Sequence, residues 1–163
     1  MRMMLNALAL LLFSAPVVAD EAPDFALRNI QNEEVRLSHL RGKVVLIDFW
    51  ATWCGPCIVE LSHIQTLYEE LASEGLEVLA ISTDDARTAS KVRPFARSRR
   101  WTFPVLLDRQ TQVVLQYNPQ QILPYTVLVD RQGNIAWRHS GYTAGDEEEL
   151  ARQVRALLAE PRP

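Results

Sequence analysis

The stretch DFWATWCGPC, from Asp48 to Cys57, contains both cysteines of this 163-residue chain. It completes a nearly unbroken apolar run, KVVLIDFWAT, which is typical of a strand covered on both faces of a β-sheet. Beyond the cysteines, apolar residues recur at spacings of three and four as far as Leu71, which predicts an amphipathic helix that ends near Gly75. The cysteine pair is therefore expected where a buried central strand meets a helix.

The rest of the chain alternates short predicted strands with helices. A lead-in at residues 21–43 contains one or two short strands. Further strands are predicted at residues 76–83, 103–107, 125–130 and 134–139, the last two joined as a hairpin. Helices are predicted at residues 84–101, with an interruption near Pro94, and at 110–117 and 145–160. This order predicts an α/β fold with one mixed β-sheet, mostly parallel with an antiparallel edge, and helices on both faces.

The composition is typical of one globular domain that forms its own core, with 48% hydrophobic and 23% charged residues. The formal net charge of −3 offers no attraction for a polyanion, and no long like-charged tail is present. We therefore expect no nucleic-acid partner. A separate expectation is that the protein is a monomer.

Residues 1–19 have the pattern of a secretory signal peptide. Arg2 precedes an apolar stretch, and the small residues Val17 and Ala19 stand before Asp20, where cleavage after Ala19 would release residues 20–163 as the mature domain. The alternative is an uncleaved membrane anchor, for which the run is short. In both cases we expect the domain in the periplasm or another extracytoplasmic compartment.

An exported chain meets an oxidising compartment, where cysteines usually form structural bridges. A bridge between Cys54 and Cys57 would close a very short loop and would add little chain-entropy stabilisation. Cys54 stands where a helix begins, and the free backbone N–H groups and positive dipole end there favour a thiolate. Pro56 is tolerated in that first turn. The sequence predicts an exposed, nucleophilic Cys54 and a more buried Cys57 that resolves the mixed disulfide.

Three nearby residues are candidates for supporting this chemistry. Asp48 falls on the same strand face as Leu46, where burial would raise its pKa and let it exchange a proton with Cys57; the alternative is a carboxylate that only bonds nearby backbone. Glu60 either joins the site from the neighbouring helix face or only interacts with the helix dipole. Trp53 provides an apolar rim for a partner peptide.

Other chemistries fit the cysteines less well. Zinc needs four ligands, and the three histidines have no ligand-pair spacing: His39, His63 and His139. Copper held by two soft thiolates, in a carrier protein, is the main alternative. A thiol peroxidase of the peroxiredoxin type would carry P-x-x-x-T-x-x-C, but Thr52 stands only two residues before Cys54. We expect no metal, and no cofactor beyond the redox-active cysteine pair.

The string WCGPC resembles the active site of the thioredoxin superfamily. Asp48 matches the buried acid of thioredoxins, ILPYTVLVD matches their cis-proline region, and the closing hairpin and helix have the expected order. The opening APDFAL, the stretch DFWATWCGPC and the strand LEVLAIST resemble the secreted, TlpA-type thiol-disulfide oxidoreductases. The resemblance extends from Ala22 to Leu158 and implies a thioredoxin-like fold for residues 20–163.

The resemblance also implies a substrate-binding surface. Pro124 would follow a cis peptide bond and contact the cysteine pair, and the backbone of Leu123 would pair with an extended substrate segment. The implied surface comprises Trp53, Gly55, Pro56, Leu123, Pro124 and Tyr125.

Three positions depart from the secreted branch. Ser62 replaces a common proline, Asp48 replaces a common neutral residue, and Tyr125 replaces a common threonine or the glutamate of cytochrome-maturation enzymes.

The Gly-Pro dipeptide between the cysteines resembles that of reducing thioredoxins. We therefore expect a protein-disulfide reductase for exported proteins, which a membrane thiol-electron donor would re-reduce. Its clients would be cytochrome precursors, copper-site assembly proteins or damaged exported proteins.

Overall fold

A computed structural model describes residues 20–161, so the predicted signal peptide at residues 1–19 lies outside the described part. The strands are β1 (Ala26–Arg28), β2 (Glu34–Arg36), β3 (Val44–Trp50), β4 (Leu76–Ser82), β5 (Val105–Leu107), β6 (Tyr125–Val129) and β7 (Ile135–Ser140). The α-helices are α1 (Gly55–Leu71), α2 (Ala89–Arg99), α3 (Gln112–Tyr117) and α4 (Asp146–Ala159). Within residues 20–161, none of the helices combines the length and the hydrophobicity of a membrane span.

The main sheet has five strands in the order β5-β4-β3-β6-β7. Strands β3, β4 and β5 run parallel, whereas β6 pairs antiparallel with both β3 and β7. Strands β1 and β2 form a separate hairpin, which matches the predicted lead-in. The structure confirms the predicted mixed sheet with an antiparallel edge.

Strand β3 is the centre of the core, because all seven of its residues are buried. Its side chains alternate between two apolar clusters, one on each face of the sheet. Val44, Leu46 and Trp50 pack in the cluster that also holds α1 and α4, while Ile47 and Phe49 pack in the cluster that holds α3. The alternation places Asp48 on the same face as Leu46, as predicted, and this is the face that α1 covers.

One sequence prediction about this core needs correction. Helix α2 continues through Pro94 without interruption. Proline removes the hydrogen bond to the carbonyl of Ser90, but both residues are exposed, so that carbonyl can bond to water. Trp101 and Trp137 are only partly buried at the cluster margin, whereas Trp50 is fully buried.

Candidate active site

The cysteines stand at the junction between β3 and α1. Cys54 is the N-cap residue of α1, and its Sγ atom accepts a hydrogen bond from the backbone N–H of Cys57 at 3.3 Å. Pro56 lies in the first turn, where its missing N–H group costs nothing. The two cysteines form a disulfide, with their Cα atoms 5.4 Å apart. The structure therefore describes the oxidised protein.

The accessibility of Cys54 differs from the sequence prediction. Cys54 is only 6% exposed and Cys57 is fully buried, because both side chains pack in the apolar cluster beneath α1. The prediction of an exposed Cys54 was wrong, although Cys54 is the more accessible of the two. The residues around it are exposed: Trp53, with 69% of its surface accessible, Gly55 and Pro56. Access to the disulfide is therefore from the side that carries these three residues.

Asp84, which was not among the residues predicted from the sequence, holds the turn between β3 and Cys54. Its buried carboxylate accepts hydrogen bonds from the backbone N–H of Thr52 at 2.8 Å and from the Thr52 hydroxyl at 2.6 Å. The Ser82 hydroxyl donates a third at 2.9 Å. The parallel pairing of β3 with β4 could have indicated this contact, because the residues after the two strands meet at one edge of the sheet.

The start of β6 lies at the same edge. The Leu123–Pro124 peptide bond is cis, and Pro124 is buried directly before Tyr125. Tyr125 pairs with Phe49, one residue before β3 ends. The backbone around Pro124 is therefore beside the strand end that leads to the cysteines. Ile122 adds an apolar side chain there that is 47% exposed.

Two carboxyl groups meet at Thr126 on the α1 side of the sheet. Asp48 and Thr126 are paired in register on β3 and β6, and both are fully buried. Glu60 reaches the same place from α1 and is also buried. The Oγ1 atom of Thr126 lies 2.8 Å from Oε1 of Glu60 and 3.4 Å from Oδ1 of Asp48. Oδ2 of Asp48 and Oε2 of Glu60 have no hydrogen-bond partner among the described residues.

The environment of this pair favours protonated carboxyl groups. Burial raises the pKa of Asp48 well above its usual value, and repulsion by Glu60 raises it further, against the hydrogen bond from Thr126. Burial raises the pKa of Glu60 to about 7, although the Thr126 hydrogen bond and the nearby His139 act in the opposite direction. The sequence pointed to Asp48 and Glu60 but missed Thr126, which connects them.

No group of three or more histidine, cysteine, aspartate or glutamate side chains within residues 20–161 is placed to hold a metal ion.

Comparison with known proteins identifies the family of this fold and site. The sequence model of the AhpC/TSA family matches residues 18–138. The chain belongs to this family. The thiol-disulfide oxidoreductase ResA of Geobacillus kaustophilus is 39% identical over 144 residues, covering 88% of this chain and 80% of the relative. The corresponding ResA of Bacillus cereus strain ZK / E33L is 30% identical over 146 residues, covering 90% and 79%.

Solved structures show the same fold. A Chlorobium tepidum protein described as a thiol:disulfide interchange protein DsbE superposes with a TM-score of 0.79 and 31% identity, over 86% of this chain and 97% of that one. A thioredoxin-like protein of Porphyromonas gingivalis gives 0.74 and 36%, over 89% and 96%. These matches confirm the thioredoxin-like fold. Together with the relatives and the Cys54–Cys57 disulfide, they identify the protein as a thiol-disulfide oxidoreductase that acts on proteins.

The raised pKa of Glu60 makes the stability of the oxidised enzyme depend on pH. Folding raises this pKa from 4.5 to about 7, so the folded protein binds the proton more tightly than the unfolded chain. The resulting stabilisation is complete below pH ~4.5 and is lost as the pH rises to ~7. Urea unfolding should show the free energy of unfolding falling by about 3 kcal/mol over this range relative to Glu60→Gln.

The exposed Glu148 of α4 provides the matched control. Glu148→Gln should keep the pH dependence of the wild type. If Glu60→Gln also keeps it, the carboxyl group of Glu60 is not the source of the effect.

Proposed function

We propose that this enzyme reduces disulfides of exported proteins outside the cytoplasm through the Cys54–Cys57 dithiol. The observation that carries the proposal is the cysteine pair at the N-terminus of α1, with an exposed apolar rim on one side and buried acids on the other. The Gly-Pro dipeptide between the cysteines, which resembles that of reducing thioredoxins, supports the direction of electron flow. The sequence pattern of residues 1–19 supports the location.

Cys54 is the proposed nucleophile of the reduced enzyme. Its sulfur sits at the positive end of α1, and the N–H group of Cys57 points at it. Both features stabilise a thiolate. This thiolate attacks one sulfur of the substrate disulfide, a new S–S bond forms, and the second substrate sulfur leaves as a thiolate that takes a proton from solvent.

Cys57 is the proposed resolving residue, with Asp48 as its proton acceptor. The Cys57 thiol gives its proton to Asp48, whose unpartnered Oδ2 atom is an available acceptor. The Cys57 thiolate then attacks Sγ of Cys54 and displaces the first substrate sulfur. The substrate has gained two electrons and the enzyme is left with its internal disulfide. Glu60 interacts with Asp48 from the α1 side, through the hydroxyl group of Thr126.

The proposed substrate surface surrounds the accessible edge of Cys54. Trp53 and Ile122 are exposed apolar side chains there, although burial of either would lower the free energy of the system. The backbone of Leu123 would add an extended substrate segment by strand-like pairing, next to Pro124 and Tyr125. Gly55 and Pro56 complete the surface without long side chains that would block the approach.

The catalytic cycle requires a source of electrons outside the cytoplasm. We propose a membrane thiol-electron donor that attacks the Cys54–Cys57 disulfide and restores the dithiol. No other cofactor is needed, since the cysteine pair carries both electrons. The enzyme would act as a monomer, either free after cleavage behind Ala19 or attached by an uncleaved anchor.

A trapping experiment tests the roles of the two cysteines. Reduced Cys57→Ser enzyme, mixed with insulin as a disulfide substrate, should accumulate a mixed disulfide through Cys54, because the resolving thiol is missing. Non-reducing electrophoresis and peptide mass spectrometry would identify the bond, and Cys54→Ser enzyme should form no adduct.

Three outcomes would contradict the proposal. A stable adduct through Cys57 in Cys54→Ser enzyme would reverse the roles of the cysteines. Consumption of peroxide without reduction of insulin would indicate a peroxidase. Tight binding of copper by the reduced enzyme, again without reduction of insulin, would indicate a metal carrier.

The redox potential tests the direction of electron flow. Equilibration of the wild-type enzyme with glutathione or dithiothreitol buffers should give a potential near −270 mV, about the value of reducing thioredoxins. A potential near −120 mV, about that of a strong oxidant such as DsbA, would show that the enzyme oxidises its clients.

The mass of the secreted protein tests the signal peptide. A chain expressed in a bacterial host with residues 1–19 in place should be recovered from the periplasm starting at Asp20. A version that begins at Asp20 should remain in the cytoplasm as the control. Recovery of the uncleaved chain in the membrane fraction would support the anchor, and recovery in the cytoplasm would contradict export.

A further inference from the structure

A row of polar side chains crosses one face of the otherwise apolar sheet. Asp48 pairs in register with Thr126, and Thr126 pairs with His139 on the next strand. Side chains of directly paired residues point to the same face of a sheet. The row therefore runs from the central strand β3 across β6 to the edge strand β7. Glu60 of α1 contacts it at Thr126.

We propose that this row carries protons between Cys57 and solvent, with Asp48 and Glu60 holding one proton between them in both redox states. The inference deepens the proposed function, since it rests on Asp48 as the proton acceptor of Cys57. It assigns to Thr126, a residue that touches no reacting sulfur in the proposed reaction, the positioning of the shared proton.

The hydroxyl group of Thr126 determines how many protons the carboxyl groups of Asp48 and Glu60 hold together. It has one hydrogen and can donate to only one carboxylate at a time. Two ionised carboxylates would compete for it, and the one without it would remain buried and ionised at high cost. With one carboxyl protonated, that group donates to Oγ1 while Thr126 donates to the other. Both contacts can then be hydrogen bonds.

We place the shared proton of the oxidised enzyme on Asp48. The 2.8 Å contact between Thr126 and Glu60 is an ordinary hydrogen-bond length, whereas 3.4 Å to Asp48 is long. In the proposed arrangement Thr126 donates to an ionised Glu60 over the shorter distance, and Asp48 holds the proton. The deeper burial of Asp48 agrees with this order, because it raises the pKa of Asp48 well above normal, while that of Glu60 is raised to about 7.

Glu60 is the end of the row that exchanges protons with solvent. His139 and Asp146 stand beside it, with their side chains 32% and 33% exposed and Nε2 of His139 3.1 Å from Oδ2 of Asp146. The titratable groups that influence Glu60 come from four directions: Asp48 on β3, His139 on β7, Tyr142 in the following loop and Asp146 on α4. Of these, only Asp48 lies deeper in the protein than Glu60.

The proton balance of one cycle follows from this arrangement. When the thiol donor opens the disulfide, Cys57 leaves as a thiolate and takes the proton from Asp48. Glu60 then takes up one proton from solvent, and Thr126 turns its hydroxyl toward the ionised Asp48. The order of the two acids reverses because the Cys57 S–H group, which exists only in the reduced enzyme, also donates a hydrogen bond to Asp48. When Cys57 later returns its proton to Asp48 in the resolving step, Glu60 releases one proton to solvent, and Thr126 turns back.

Replacing the hydroxyl group of Thr126 tests this proton relay, the proposed transfer of protons along the row. Thr126→Val keeps the side-chain shape but has no hydrogen to pass, and Thr126→Ser keeps the hydroxyl. In stopped-flow measurements of mixed-disulfide resolution, Thr126→Val should lower the rate about a hundredfold, at the lower end of the range of general acid–base effects, and should remove the inflection near pH ~7. Thr126→Ser should keep both the rate and the inflection.

Infrared difference spectra test the shared proton directly. At about pH 7, both redox states should show the C=O stretch of one protonated carboxyl group. Asp48→Asn should remove the band from the oxidised enzyme, and Glu60→Gln should remove it from the reduced enzyme. Asp108, a buried carboxyl group bonded to the backbone N–H groups of Gln112 and Val114, is the matched control, and Asp108→Asn should leave the redox-dependent shift unchanged.

The outcomes separate this inference from the proposed function. If Thr126→Val resolves the mixed disulfide as fast as Thr126→Ser and keeps the pH inflection, the relay is wrong while the disulfide reductase stands. Loss of the carboxyl band on reduction would also overturn the shared proton. Failure of Cys57→Ser to trap insulin through Cys54 would overturn the function itself. Thermal unfolding of each variant establishes that the rates refer to folded protein.

Discussion

A carboxyl group in the middle of a fully buried central strand is the constraint on which this site depends. Asp48 is surrounded by the apolar cluster that packs α1 onto the sheet. An ionised carboxylate there would be costly, so neighbouring strands and helices must supply the polar contacts that water cannot. Thr126 supplies one, and the cross-strand pairing of β3 with β6 brings it to the same face. Glu60 can be buried in the same place because it shares that hydroxyl.

The turn between β3 and Cys54 is held in place by hydrogen bonds to Asp84. Asp84 fixes both the backbone and the side chain of Thr52, two residues before Cys54. The other end of the turn is fixed by α1, whose first turn holds Cys54 and Cys57 in bonding distance. The sulfur of Cys54 is therefore held between two anchored elements, and the side chain of Trp53 between them is exposed. The same turn therefore fixes the position of Cys54 and leaves the side chain of Trp53 exposed.

Much of this fold is predictable because the spacing of apolar residues along the chain indicates the strands and helices. The apolar run of β3 and the three-and-four spacing of α1 indicate the junction, and alternation along β3 places Asp48 on the helix side. The contacts of Thr126 and Asp84 are not predictable in this way, since they depend on strand register between distant segments. The low accessibility of Cys54 was missed for a similar reason. A helix N-terminus is an exposed position in general, but here the side chain of Cys54 packs into the apolar cluster beneath α1.

The burial of Cys57 determines the order in which partners must arrive. An external thiol or disulfide can reach only the sulfur of Cys54, because Cys57 has no accessible surface. In the proposed cycle, the electron donor and the client must both form their covalent bond with that one atom. They therefore cannot occupy the enzyme together, and each must depart before the other binds. Turnover would follow ping-pong kinetics, in which an excess of one partner inhibits the other by occupying the same sulfur.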